Sequence, residues 1–478
     1  MGTRAVPFPA AAVVFGVAAA NAALALVLAH RGASSSALLA LLPLVIVLFG
    51  MLVSSHRAVL LAAALGLSMT IPILNKPLPV APGRLYPTDI IVILALAAWL
   101  ARRLTLPAES RPRFPTTPLL GPPLIFFACM TMWAALRGHY AYGANLFGGP
   151  VRLFAYVLLV FALVDLEART TYRTIVAIFY TGTVWMFLNA AYHYATGTSQ
   201  TNQVDLSTGG TRILALSTAI YLAGGLFLAL LNLEIDRSAR RRAVHVLIAA
   251  LALAGIIVAY ARATYLAVAI VVPVFLVFLP RLRRALLSML PICIPFILLV
   301  AIALPRVAPS LEPTFVNRVL KSNSSDVNVE WRQAAAGALW QQVRESPING
   351  VGFGKTATFR FAGILETITQ DPHDSFLYLL AGGGILALSG FLMLLVTFAA
   401  DAVGQLRRGT DPYRRLIVLW STATLFTFLV NAAAGPVLSD PIMLLTIWTV
   451  MLLPSSIRPA ADGAVTRMRA RVAAPRAA

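Results

Sequence analysis

Apolar runs close to the ~20 residues that cross a ~30 Å hydrocarbon core recur from Pro9 to Pro454, nearly end to end along 478 residues. That pattern predicts an all-α, polytopic protein whose helices cross a membrane many times. Composition agrees, with 12% of residues charged where a soluble domain carries about 25%; a soluble enzyme of ordinary design is excluded. Fourteen spans are expected, at 9–30, 36–54, 57–74, 88–101, 118–136, 151–166, 173–195, 213–231, 244–260, 263–279, 285–305, 375–398, 416–433 and 441–456. The long interruption at 306–374 divides the chain into transmembrane helices over 1–305, a loop subdomain, further transmembrane helices over 375–456 and a basic tail over 457–478. No cleavable signal peptide is expected, because the first run is long and has only Arg4 before it. Cys129 and Cys293 lie inside apolar runs and read as small core residues, not as a disulfide or a metal pair.

The net charge of +20, from 38 Lys and Arg against 18 Asp and Glu, would suggest nucleic acid in a soluble protein. Here its placement matters more, because Lys and Arg resist translocation. With the N-terminus inside, 24 basic residues fall in inner segments, 7 in short outer segments and 7 in the 306–374 loop. The expected partners are membrane lipids and no nucleic acid, both termini are expected in the cytoplasm, and the long loop is expected outside.

Three polar features then share the outer side: the 196–212 loop ending in Arg212, the tight Tyr260-Ala261-Arg262-Ala263 link, and the long loop. Arg262 stands between two apolar runs at headgroup depth, where it is either a snorkelling anchor or an anion site. No carboxylate lies deep within a span to serve as its partner. Gly209-Gly210-Thr211-Arg212 puts backbone amides and a guanidinium beside a helix start, a combination able to hold phosphate oxygens. Arg212 and Arg262 together suit a diphosphate. At ~4 Å and an effective dielectric of ~20 each unit-charge contact is on the order of 4 kcal/mol before desolvation, so two could replace a divalent metal.

Within the loop, Trp331, Ala335, Leu339 and Val343 recur at four-residue spacing, which predicts an amphipathic helix over 328–345 with Trp331 or Trp340 at headgroup depth. Ser346 to Gly350 ends it. Gly350-Val351-Gly352-Phe353-Gly354-Lys355-Thr356 is not read as an ATP loop, because Asn349 occupies the first glycine position and the loop lies outside. It is a glycine-rich turn that lets backbone approach a headgroup or a sugar. His373 sits in Asp371-Pro372-His373-Asp374-Ser375-Phe376-Leu377 directly before a span. Flanked by carboxylates it can accept a proton from a hydroxyl near neutral pH; alternatively it is a satisfied interfacial histidine and Asp374 only caps the next helix.

Pro372-His373-Asp374-Ser375-Phe376-Leu377 followed by Gly382-Gly383-Gly384-Ile385-Leu386, with Trp331, Pro347, Gly350-Val351-Gly352-Phe353-Gly354 and Arg262-Ala263 upstream, resembles the O-antigen ligase and O-antigen polymerase-related membrane family. The resemblance covers about a third of the chain, 260–395, with Asp374 where the family has Asn and Gly382 where a glutamate is common. It implies a C-type, metal-independent, inverting glycosyltransferase that needs no cofactor. The implied donor is a glycan on undecaprenyl diphosphate, and the acceptor is a sugar hydroxyl. By the same resemblance His373 takes the acceptor proton, Asp371 and Asp374 orient it, Arg212 and Arg262 hold the diphosphate, and Arg332 contacts donor or acceptor. A strict need for a divalent ion would point instead to Glu330, Asp371 and Asp374. A transporter or flippase for the same lipid-linked glycan is the alternative, and a scaffold for an envelope-polysaccharide complex a third. Oligomeric state is not read from the sequence.

Overall fold

The computed structural model describes residues 86–457 except 106, 109–110, 112–113, 146–148, 165, 197–213, 289–326, 370–373 and 409–410. The expected spans at 9–30, 36–54 and 57–74, most of 285–305, Cys293 and the basic tail lie outside the described residues. The main helices are α1 (Pro87–Thr105), α2 (Pro122–Tyr142), α3 (Ala168–Thr196), α4 (Leu216–Ile235), α5 (Ala239–Val258), α6 (Arg262–Phe278), α7 (Val327–Glu345), α8 (Ser375–Arg408), α9 (Pro412–Ala432) and α10 (Pro441–Leu452). A hairpin of β1 (Ala357–Phe361) and β2 (Ile364–Ile368) lies between α7 and α8. Among the described residues α3, α4, α5, α8 and α9 are long and apolar enough to cross a membrane, and α6 joined to Pro280–Ser288 makes a sixth, bent by 108°. The protein is a polytopic helical membrane protein.

Helix α4 forms the centre, buried without a break from Thr218 to Leu233. Tyr221 stacks on Phe179 of α3 at 4.3 Å, and Trp420 of α9 donates its indole N–H to the Gly224 carbonyl at 3.1 Å. Outward-facing residues meet lipid, which is as apolar as leucine, so hydrophobicity alone does not mark the core of such a bundle. Cys129 corrects the sequence reading for this reason: it lies on the exposed face of α2. The segment expected as one span at 151–166 is instead a series of short helical turns, Arg152–Ala155, Tyr156–Leu159 and Val160–Leu163.

Because α4 has 20 residues at ~1.5 Å each, its ends lie about 30 Å apart. Contacts sort the connections between these ends. At one end Tyr172 meets Tyr413, Glu234 accepts from the Leu282 amide, Ser455 meets Thr117 and Leu166 bridges Ser456. At the other, α2 meets the turn after α7, and the starts of α6 and α8 meet the end of α9.

The loop subdomain confirms the helix expected after 327 and adds a hairpin that was not expected. Ala335, Leu339 and Val343 are buried, and Leu339 and Val343 pack with Ala357 and Ala381 into a small second core. Trp331 packs on the hairpin: its ring lies edge-on to Phe359 at 5.7 Å and its N–H donates to Glu366 at 2.7 Å. Trp340 is the exposed one. Ala362 and Gly363, with φ of 47° and 81°, make the left-handed two-residue turn that matches strand twist.

The glycine-rich turn after α7 is seated on helices. Helix α8 is broken at Gly384, whose φ of 67° and ψ of −171° are not helical. The carbonyls of Ala381 and Gly382 accept from the Val351 and Gly352 amides, both at 2.9 Å. The Ile385 amide donates to Pro347 at 2.9 Å. Backbone groups released by the break are thereby paired by the turn. The approach is too close for side chains, since a Cβ at Gly138 of α2 would stand 1.7 Å from the Phe353 oxygen. Arg137 donates across the same seam to the Gly350 carbonyl and to Ser346.

Candidate functional site

Three chain segments close in on the end of α9 and the connection to α10. Ser375, the first residue of α8, is fully buried. Its hydroxyl donates to the Gly435 carbonyl at 2.8 Å and accepts from the Leu438 amide at 3.1 Å. Thr264, in the first turn of α6, is equally buried and donates to Oδ1 of Asn431 at 3.1 Å. Leu216, the first residue of α4, packs so tightly on Gly435 that a Cβ there would lie 2.9 Å from its Cδ2. The 431–438 segment is therefore the shared neighbour of all three helix starts.

Each of these starts follows a residue singled out from the sequence. Arg262 is the first residue of α6 and is half-buried. The connection before it is only Ala259 to Ala261, closed by Tyr260 in the left-handed region at φ 51°, where a non-glycine residue costs about 1–2 kcal/mol. Tyr260 is 6% exposed, so ring burial offsets that strain. Asp374 immediately precedes α8, and its Oδ1 accepts from the Phe376 and Leu377 amides at 3.0 Å each. The capping role left open by the sequence is thus present. Arg332 stands apart, half-buried in the N-terminal half of α7 next to Trp331 and the hairpin. Arg212, Asp371 and His373 lie outside the described residues. Among those described, no three His, Cys, Asp or Glu side chains are grouped to hold a metal ion.

A buried charge pair escaped the sequence reading. Arg152 is 5% exposed; its Nε and one terminal nitrogen donate to the two Asp89 oxygens at 2.7 Å each. The Asp89 carboxylate also accepts from the Tyr156 hydroxyl at 2.6 Å and the Tyr86 amide at 2.8 Å. The signal available was Asp89 itself, a lone carboxylate at a span start that needed a cation nearby. At the opposite end of α4 runs a longer polar chain. Tyr172 donates to Asn232 at 3.0 Å, Asn232 to Tyr180 at 2.9 Å, and Tyr180 bonds Nδ1 of His245 at 2.8 Å. Nε2 of His245 then meets Asp236 at 2.8 Å.

The matched region of the chain runs from within α5 through α6, α7, the hairpin and the break in α8. No curated protein matches the chain. Residues 247–392, under a third of the chain, match the model of the O-antigen ligase family.

Proposed function

We propose that the protein transfers a glycan from undecaprenyl diphosphate to a sugar hydroxyl of an acceptor glycan, as a ligase or polymerase of envelope polysaccharide. The observation that supports this reading is the convergence of Leu216, Thr264 and Ser375 on 431–438. Residue 212 is four residues from Leu216, and residue 373 is two from Ser375. On this reading two guanidinium groups and an imidazole serve one site at that end of the bundle.

In this mechanism Arg212 and Arg262 neutralise the diphosphate. The acceptor oxygen attacks the anomeric carbon as the bond to the diphosphate oxygen breaks on the opposite face. His373 takes the hydroxyl proton. The diphosphate leaves with the bond electrons, and the anomeric configuration inverts. Asp374, fixed as the cap of α8, and Asp371 hold the histidine's surroundings, and Arg332 contacts the glycan. Diphosphate is already a good leaving group, so positioning and electrostatics carry most of the work. The basic connections at 102–117, 167–173, 236–242, 280–284 and 407–415 share the far end of the bundle. The positive-inside bias therefore assigns that far end to the cytoplasm and the site to the outer face of the cytoplasmic membrane.

The transporter reading draws on the break at Gly384 and the bend after α6, since broken helices are a transporter feature. Against it, the backbone groups freed at Gly384 are already paired with the 347–352 turn. Purified protein in vesicles with a defined undecaprenyl-diphosphate oligosaccharide separates the readings. The enzyme releases undecaprenyl diphosphate and lengthens or caps the acceptor in excess chelator; a flippase moves intact donor across the bilayer. His373→Ala is expected to lower turnover by about 10²–10⁴, and Arg262→Ala to raise the donor KM at least as steeply as any other single change. Wild-type product yield from both variants, once inserted, would rule the assignment out.

A further inference from the structure

We propose that Asn431 is a positioning residue for Arg262, acting through the Thr264 hydroxyl; the inference rests on Arg262 holding the donor diphosphate. Asn431 is fully buried near the end of α9. Its Nδ2 donates to the Thr427 carbonyl of its own helix at 2.8 Å, which orients the amide so that Oδ1 faces Thr264. Thr264 is two residues after Arg262, in the same helical turn. No side chain caps this helix start at Ala261. Asn431 thus supplies a fixed external point for the first turn of α6, while the left-handed Tyr260 fixes the chain just before it. Arg262 is held between the two.

The placement gives the inference its reach. Asn431 lies beyond residue 392, outside the matched ligase domain, yet it belongs to the segment that also anchors Ser375 and Leu216. A buried asparagine is unfavourable in an apolar bundle unless its polar atoms are paired, and here both are. One pairing is local to α9. The other crosses to α6, whose opening residue carries the charge.

The test uses the full chain in vesicles, with undecaprenyl-diphosphate oligosaccharide varied at saturating acceptor. Thr264→Ala and Thr264→Ser both lose the methyl group, and only the first loses the hydroxyl. Expected is a donor KM raised about tenfold in Thr264→Ala, with kcat and acceptor KM within about twofold, and near wild-type values in Thr264→Ser. In an Arg262→Lys background the Thr264→Ala change is expected to add less than about twofold, because the group it positions has been replaced. If Thr264→Ala does not insert, Thr264→Val removes the hydroxyl at constant volume and answers the same question. Equal donor KM values for the alanine and serine variants, or an undiminished tenfold penalty in the Arg262→Lys background, would overturn the inference. A wild-type donor KM in Arg262→Ala would instead overturn the diphosphate reading, whatever Thr264 does.

Discussion

The two ends of α4 are built in opposite ways. At the end proposed to face the cytoplasm, side chains pair with side chains in an unbroken series from Tyr172 through Asn232, Tyr180 and His245 to Asp236. At the other end backbone does much of the work. A broken α8 is paired by the 347–352 turn, and Ser375 bonds the 435–438 backbone. A closed side-chain series consumes the groups that chemistry would need. A backbone lattice holds helix starts in place without using side chains, and one of those starts carries Arg262, the residue proposed to meet the donor. If the proposed site is right, the contrast teaches that stability and function are separated along the same helix.

That separation can be broken by experiment, beginning with the backbone lattice. Gly350 has φ of 67° and a Cβ there would lie 2.3 Å from the Gly382 oxygen. Gly350→Ala combines a left-handed strain of about 1–3 kcal/mol with overpacking of similar size, so a loss of about 3 kcal/mol or more is expected. Thermal melting in detergent and protease cleavage after α7 would report it. Because the turn holds α8 through Val351 and Gly352, activity should fall together with stability. Melting unchanged in Gly350→Ala would mean that the seam is not what holds the loop subdomain to the bundle.

The polar series at the other end should behave differently. His245→Phe leaves the Tyr180 hydroxyl without its acceptor and Asp236 with Arg241, at 3.0 Å. A buried group deprived of its partner costs about 1–3 kcal/mol, so the variant should melt earlier while donor KM and turnover of the folded fraction stay within about twofold. Lost transfer with normal melting would undo the comparison and favour a proton path through the bundle, which the transporter reading requires.

Much of this architecture was legible because span length and the alternation of basic loops are one-dimensional signals. The spans expected at 213–231, 244–260, 263–279, 416–433 and 441–456 correspond to α4, α5, α6, α9 and α10 within a few residues. The helix after 327 was legible from its four-residue spacing. The hairpin was missed because its strands are five residues each, with a turn that opens on Ala362 in place of the usual asparagine or glycine. The break in α8 was missed because Gly382-Gly383-Gly384 reads equally as a small-residue packing stripe; only the 347–352 turn, more than thirty residues upstream, shows which glycine leaves the helix. The convergence on 431–438 was illegible for a similar reason. Asn431 and Gly435 carry no local signal, and their meaning comes from Thr264 and Ser375, each distant in the chain.

Cys129 offers the mildest test of the same lesson. In a soluble protein a cysteine inside an apolar run is usually packed, and removing it leaves a void. On α2 the thiol faces outward, while Phe127, Thr131 and Ala134 of the same helix face the bundle and are buried. Cys129→Ala therefore exchanges one outward-facing group for another, and a melting shift equivalent to no more than about 0.5 kcal/mol is expected, with no change in transfer. A loss well above 1 kcal/mol would show that a further part of the chain covers this face of α2.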